Sequence, residues 1–104
     1  MQTYKVVLLS PAWLELDAIS DFHLLTVGAN SAKRITDKIL ESLQRLETFP
    51  LSCPPLPFEE LALQGYRMLV CGKYICIYKL MDTVVYVYHI VAAGTNYSAL
   101  FDNE

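Results

Sequence analysis

Tyr66-Arg-Met-Leu-Val70, Tyr74-Ile-Cys-Ile-Tyr-Lys-Leu80 and Val84-Val-Tyr-Val-Tyr-His-Ile-Val91 decide the fold. Each run is rich in β-branched and aromatic residues, the types that suit a pleated, half-buried surface. The breaks between them are short, with Cys71-Gly72 as the first turn and Asp82-Thr83 as the second. Three such runs joined by tight turns make an antiparallel meander. Treating both breaks as two-residue loops sets the register. Val70 then faces Lys73 and Arg67 faces Cys76. Across the second turn Met81 faces Val84 and Cys76 faces His89. Arg67, Cys76 and His89 are thereby expected in one cross-strand row, with neighbours about 5 Å apart. A slip of one residue in either turn would move a member to the other face.

The same alternation sorts the rest of the sheet. One face carries Met68, Val70, Ile75, Ile77, Tyr86, Tyr88 and Ile90, and it is the expected seat for the helices. The other carries Arg67, Leu69, Tyr74, Cys76, Tyr78, Val85, Val87 and His89, apolar and polar together. Two helices can cover only one face, so a partner chain is expected on the second.

Upstream, Tyr4 to Leu9 reads as a strand stopped by Ser10-Pro11. Ser10 suits an N-cap, with Pro11 at the first helical position. The helix that follows runs from Ala12 to about Val27. Leu14, Ile19, Phe22 and Leu25 form its expected apolar stripe, and Glu15 and Asp17 lie in its early turns. Trp13 is expected between helix and sheet, and His23 at the surface. Gly28-Ala-Asn30 breaks the helix. Ser31 is the expected cap of a second helix to about Phe49, with Ala32, Ile35, Ile39, Leu43 and Leu46 inward and Arg34, Lys38, Glu41 and Arg45 outward. Pro50 ends it. Pro50 to Pro57 holds four of the five prolines and forms a stiff, extended connector. Phe58 to Leu63 reads as loop or short strand.

The chain of 104 residues is expected to be a single domain over 1–104. It is 54% hydrophobic and 18% charged, with a formal net charge of −3, and its mean hydropathy is +0.31. An acidic balance argues against strong stand-alone binding of nucleic acid, which needs a basic footprint. Cys53, Cys71 and Cys76 have no zinc-ligand spacing and read as reduced thiols in the cytoplasm, so no metal and no cofactor is expected. The N-terminus does not read as a signal peptide, and no stretch approaches the roughly 18 apolar residues of a membrane span.

Leu63-Gln-Gly-Tyr-Arg67, Cys71-Gly-Lys-Tyr-Ile-Cys-Ile-Tyr78, Val84-Val-Tyr-Val-Tyr-His89 and Asn96-Tyr97-Ser-Ala-Leu-Phe101 together resemble the RelE/ParE superfamily, the plasmid-stabilisation toxins of type II toxin–antitoxin systems. The resemblance extends over nearly the whole chain. It implies an α+β, RelE-like fold: an N-terminal strand, a two-helix hairpin and a three-stranded antiparallel meander, with both helices on one face. It also implies a small cytoplasmic bacterial toxin neutralised by a cognate antitoxin. RelE-like members cleave mRNA in the ribosomal A site without metal. ParE-like members share the fold and poison DNA gyrase. Arg67 matches the arginine that the nucleases place near the scissile phosphate, and His89 and Tyr97 fall where some members carry acid/base or orienting groups. Ile75 stands where many members have arginine. Ala93-Gly94-Thr95-Asn96-Tyr97 stands where a Gly-Arg-Arg-Asp-Tyr end is frequent. These departures favour the gyrase inhibitor, or a member that only binds its antitoxin; Arg67 and His89 favour the ribosome-dependent mRNA endoribonuclease, which is the leading expectation, with the other two as alternatives.

Metal-free RNA cleavage needs a base, an acid and positive charge at the crowded phosphate. Arg67 suits the phosphate as a bidentate donor. His89 suits proton transfer, because its unperturbed pKa lies near neutral. Tyr97 can orient substrate or donate a proton, and Lys73 at the hairpin tip can touch backbone phosphate. Each has a structural alternative. Arg67 can pair with Glu59 or Glu60, His89 can be a structural hydrogen-bonder, Tyr97 can close the sheet end, and Lys73 can be a solvated turn residue. Cys76 lies mid-strand without an activating neighbour other than His89, which makes it a poor nucleophile.

Overall fold

In a computed structural model of the chain, residues 3–101 are described. The order is β1 (Lys5–Leu8), α1 (Ser10–Thr26), α2 (Ala29–Gln44), a 3-10 turn (Arg45–Glu47), α3 (Glu59–Leu63), β2 (Tyr66–Cys71), β3 (Tyr74–Met81), β4 (Val84–Ala92) and a second 3-10 turn (Tyr97–Phe101). The four strands form one sheet in the order β1-β4-β3-β2. β1 runs parallel to β4, and the meander is antiparallel. This is the strand, helical hairpin and meander expected from the sequence.

Local chemistry sets the boundaries, and several differ from expectation. Ser10 lies inside α1, and its N-cap is Leu9. α2 starts at Ala29, with Gly28 as its N-cap at φ 138°, a conformation that favours glycine. Ser31 caps nothing, because its hydroxyl is engaged by His23 instead. α2 ends at Gln44 and tightens into the 3-10 turn rather than running on to Phe49. The segment before β2 is the short helix α3.

The register also departs from the two-loop expectation. In β2–β3, Cys71 pairs with Tyr74 and Arg67 with Tyr78, so the loop is Gly72-Lys73. Gly72 carries the left-handed φ of 60° that this turn needs. That is a shift of two residues, which keeps Arg67 on its face. Across the second turn Met81 does pair with Val84, and Asp82 adopts φ 57°, a conformation Asp tolerates better than most residues. The ladder then breaks: Tyr78 pairs with Val87 but Ile77 with His89. Tyr88 is the extra residue of a β-bulge. A single bulged residue inverts parity, so His89 moves to the opposite face from Arg67. The expected Arg67–Cys76–His89 row therefore does not form.

The helices cover the face carrying Leu69, Cys76, Tyr78, Val85 and Val87, the reverse of the expectation. These residues pack with Ala12, Leu16 and Ile19 of α1 and Ile39 and Leu43 of α2 into the main core. A fully buried Leu or Ile contributes roughly 1.5–3 kcal/mol. The face was misassigned because both sheet faces are apolar; shape and register decide between them. On the other face Tyr66, Ile75 and Ile77 pack with Leu56, Leu61 and Tyr97 in a second cluster. Its cover comes from the chain itself, through the connector, α3 and the C-terminal 3-10 turn. The apolar stripe of α1 is also offset: Leu14, Phe22 and Leu25 are 69%, 60% and 84% exposed. Trp13 is about half exposed rather than wedged against the sheet.

Candidate functional site

Arg67 sits on the edge strand β2, on the helix side. There the connector folds back along β2: Leu56 N–H donates to the Tyr66 carbonyl and Met68 N–H to the Pro54 carbonyl. This places connector carbonyls against Arg67. Its Nη1 donates to the Cys53 carbonyl at 2.7 Å and reaches that of Leu51 at 3.5 Å. Next to it, the buried Tyr78 hydroxyl donates to the Pro50 carbonyl at 2.8 Å. Burial foremost pushes the Tyr78 phenol well above its ordinary range, with further contributions from Cys53. Arg67 is thus tied to main chain; the structure shows no ion pair between it and Glu59 or Glu60.

His89 lies on the opposite face, at the end of β4 that outruns β1. Its Nδ1 is 3.1 Å and 3.2 Å from the two carboxylate oxygens of Glu15 on α1. The same carboxylate accepts the Ile90 N–H at 3.1 Å, filling the sheet edge that β1 leaves open. The His89 ring stands edge-on to Phe101 at 5.4 Å between centroids. Phe101 also packs against Tyr66 at 4.8 Å, and Tyr66 against Tyr88 at 5.1 Å. Lys79 Nζ lies 5.0 Å from the Tyr66 ring centroid, a cation–π contact. Lys79 therefore lies on the His89 face. Tyr97 is buried, with its ring edge-on to Phe58 at 5.6 Å. Lys73 is exposed in the β2–β3 loop, where its carbonyl accepts the Ala93 N–H.

The arrangement brings His89, Glu15, Phe101, Tyr66 and Lys79 into one chain of contacts beside Tyr97, and it leaves Arg67 and Lys73 outside. A carboxylate against Nδ1 orients the imidazole and leaves Nε2 as the ring nitrogen that Glu15 does not hold. Glu15 and Lys79 were not singled out by the sequence. No spacing links Glu15 to a residue 74 positions on, and the parity of Lys79 became readable only with the register. His23 was expected at the surface but bridges two hydroxyls. Its Nδ1 is 3.1 Å from Ser31 Oγ and its Nε2 2.9 Å from the Tyr74 hydroxyl, tying the helical hairpin to β3.

Two solved structures share this architecture. A chain of the chromosomal ParDE toxin–antitoxin system from P. aeruginosa superposes with a TM-score of 0.74 at 18% identity, covering 86% of this chain and 96% of that one. A chain of the RelBE2 toxin–antitoxin complex from Mycobacterium tuberculosis does so with a TM-score of 0.64 at 21% identity, covering 86% and 98%. The fold is that of the RelE/ParE superfamily of type II toxins. The family model for the ParE toxin of the type II toxin–antitoxin system, parDE, matches residues 6–97, and the chain belongs to that family. It is a toxin of a type II toxin–antitoxin system. No curated protein matches the sequence. Among the described residues no helix is long and apolar enough to cross a membrane.

Proposed function

We propose that this toxin works by protein contact, as an inhibitor of DNA gyrase in the cytoplasm, and that a cognate antitoxin neutralises it. The observation that carries this reading is the separation of the candidate groups. Arg67 is held by connector carbonyls on the helix side, while His89 lies across the sheet beside Glu15. A nuclease built on Arg67 and His89 together needs both at one phosphate. The net charge of −3 also gives RNA little general attraction. Membership of the ParE family supports the same target.

A second reading is ribosome-dependent mRNA cleavage, favoured by the His89–Glu15 pair. In it His89 moves the proton, Tyr97 orients substrate, and Arg67 and Lys73 bind phosphate after rearrangement. The test is induction of the toxin without antitoxin, with growth, mRNA 5′ ends and gyrase-linked DNA breaks recorded together. Growth arrest with DNA breaks and unchanged mRNA ends, retained in His89→Gln, is expected. New codon-aligned mRNA ends that disappear in His89→Gln would establish the nuclease instead. Soluble protein without any arrest would mark a member that only binds its antitoxin.

A further inference from the structure

Four of the eight Lys and Arg residues, Arg34, Lys38, Arg45 and Lys73, gather on the side of the molecule where α2 passes the end of β2. Helical geometry brings Arg34, Lys38 and Arg45 to within about 40° of one another around the helix and spreads them over about 16 Å. Contacts to Cys71 at the end of β2 fix this side of α2. Its Sγ is 3.7 Å from the Lys38 carbonyl and 3.4 Å from Ser42 Oγ. Lys38 reaches over the β2–β3 loop, where a methyl group placed on Gly72 would stand 3.6 Å from its Nζ, and Lys73 is the next residue of that loop. Arg45 lines a hollow with Ser52, Cys53 and Leu69, again toward β2. All four cations are exposed, and none forms an ion pair among the described residues. The acids of the helix turn the other way: Asp37 and Glu41 line a groove with Glu47, Val6 and Leu8 on the β1 side. A chain of net charge −3 thus carries a local basic stripe.

From Lys33 to Arg45 every exposed residue of the helix and its cap is charged or polar. A protein interface needs an aromatic or aliphatic anchor at its centre, and single-stranded nucleic acid needs aromatic rings for its bases. The outer face of α2 offers neither over this length; it offers charge at regular spacing. We propose that this stripe binds the phosphate backbone of duplex DNA without reading its sequence. One strand of a duplex carries a charge per about 3.4 Å of axis, so about 16 Å meets four to five phosphates, as many as the cations can neutralise. Such contacts position a protein on DNA and carry no sequence information. The net charge keeps the contact weak, with a Kd on the order of 10⁻⁴ M at physiological salt. The biological source of the duplex rests on the gyrase reading above: it is the DNA that gyrase holds, and the stripe adds a DNA contact to the protein contact.

The experiment titrates the full chain, without gyrase, into a labelled DNA duplex and follows fluorescence anisotropy at salt concentrations from about 50 to 200 mM. Binding is expected to weaken with salt along a log–log slope of about −3 to −4. Arg34→Gln and Lys38→Gln, both at exposed positions that the fold does not use, should each make the slope shallower by about one and weaken binding about tenfold at the lowest salt. Lys5→Gln, on β1 at the far edge of the sheet, should leave both unchanged. A single-stranded RNA of the same length should bind more weakly than the duplex. Absence of duplex binding at the lowest salt, a slope that Arg34→Gln and Lys38→Gln leave unaltered, equal loss in Lys5→Gln, or tighter binding of the RNA would overturn the DNA-binding stripe. Because gyrase is absent from the titration, the two readings fail separately. Duplex binding without gyrase-linked breaks in cells would sink the gyrase reading and keep the stripe; breaks without duplex binding would do the reverse.

Discussion

Arg67 and Tyr78 show how single side chains hold the connector. Both donate to carbonyls of the Pro50–Cys53 stretch, a segment whose prolines cannot make a regular ladder of their own. Arg67→Ala is expected to lower the unfolding free energy by about 2 kcal/mol, because a charge-assisted bond is lost and two carbonyls are left to water; urea titration reads it. A loss of toxicity in that variant must therefore be compared with its fraction folded. Cys76 makes a second prediction at this scale. Burial, with help from Cys71 and Cys53, pushes its thiol from 9.0 up to about 12. Below about pH 9 both folded and unfolded chains keep the proton, so stability is unaffected. Above it the unfolded chain ionises first, so stability falls as pH rises from about 9 to about 12. Tyr78, also pushed up, adds loss in the same direction. Stability measured between pH 8 and 11 should decline less in Cys76→Val than in the parent. In thiol labelling followed by mass spectrometry, half-exposed Cys53 should react before buried Cys71 and Cys76.

At the scale of elements, the contact of α1 with β4 depends on Glu15. One carboxylate serves the His89 ring and the Ile90 amide where β1 has ended. Glu15→Ala should destabilise by roughly 1–3 kcal/mol and speed exchange of the Ile90 amide; Glu15→Gln, which keeps an acceptor, should cost less. The elements themselves were largely legible. Proline, glycine and apolar runs marked the hairpin and the meander to within a few residues. Ser10 and Ser31 were plausible caps by residue type, yet neither caps, because α1 already starts at Ser10, with Leu9 before it and no side-chain bond, and His23 engages the Ser31 hydroxyl. The bulge at Tyr88 had no sequence mark: Val-Tyr-Val-Tyr-His-Ile alternates as well with a bulge as without one.

For the whole molecule, the consequence is which surfaces are buried. α1 is apolar on both sides, so its composition does not say which side faces the sheet. The structure buries Ala12, Leu16 and Ile19 and exposes Leu14, Phe22 and Leu25. Leu16→Ala should cost about 2–5 kcal/mol. Leu25→Lys should leave the unfolding midpoint within about 0.5 kcal/mol of the parent and reduce concentration-dependent association in sedimentation, because it interrupts the exposed apolar band. The placement of the candidate residues was legible in part. His89 and Tyr97 do lie near each other's cluster on one face, whereas Arg67 belongs to the other.

The sequence by itself determined the order and kind of the elements and the resemblance that leads to the toxin family. These follow from local propensity, turn residues and periodicity, each carried by a few neighbouring residues. Only the tertiary structure decided which sheet face the helices cover, where His89 points, and which groups surround it. Side chains alternate with a period of two along a strand, so one bulged residue inverts every later assignment. Where both faces are apolar, nothing local reveals the inversion; packing across distant parts of the chain does.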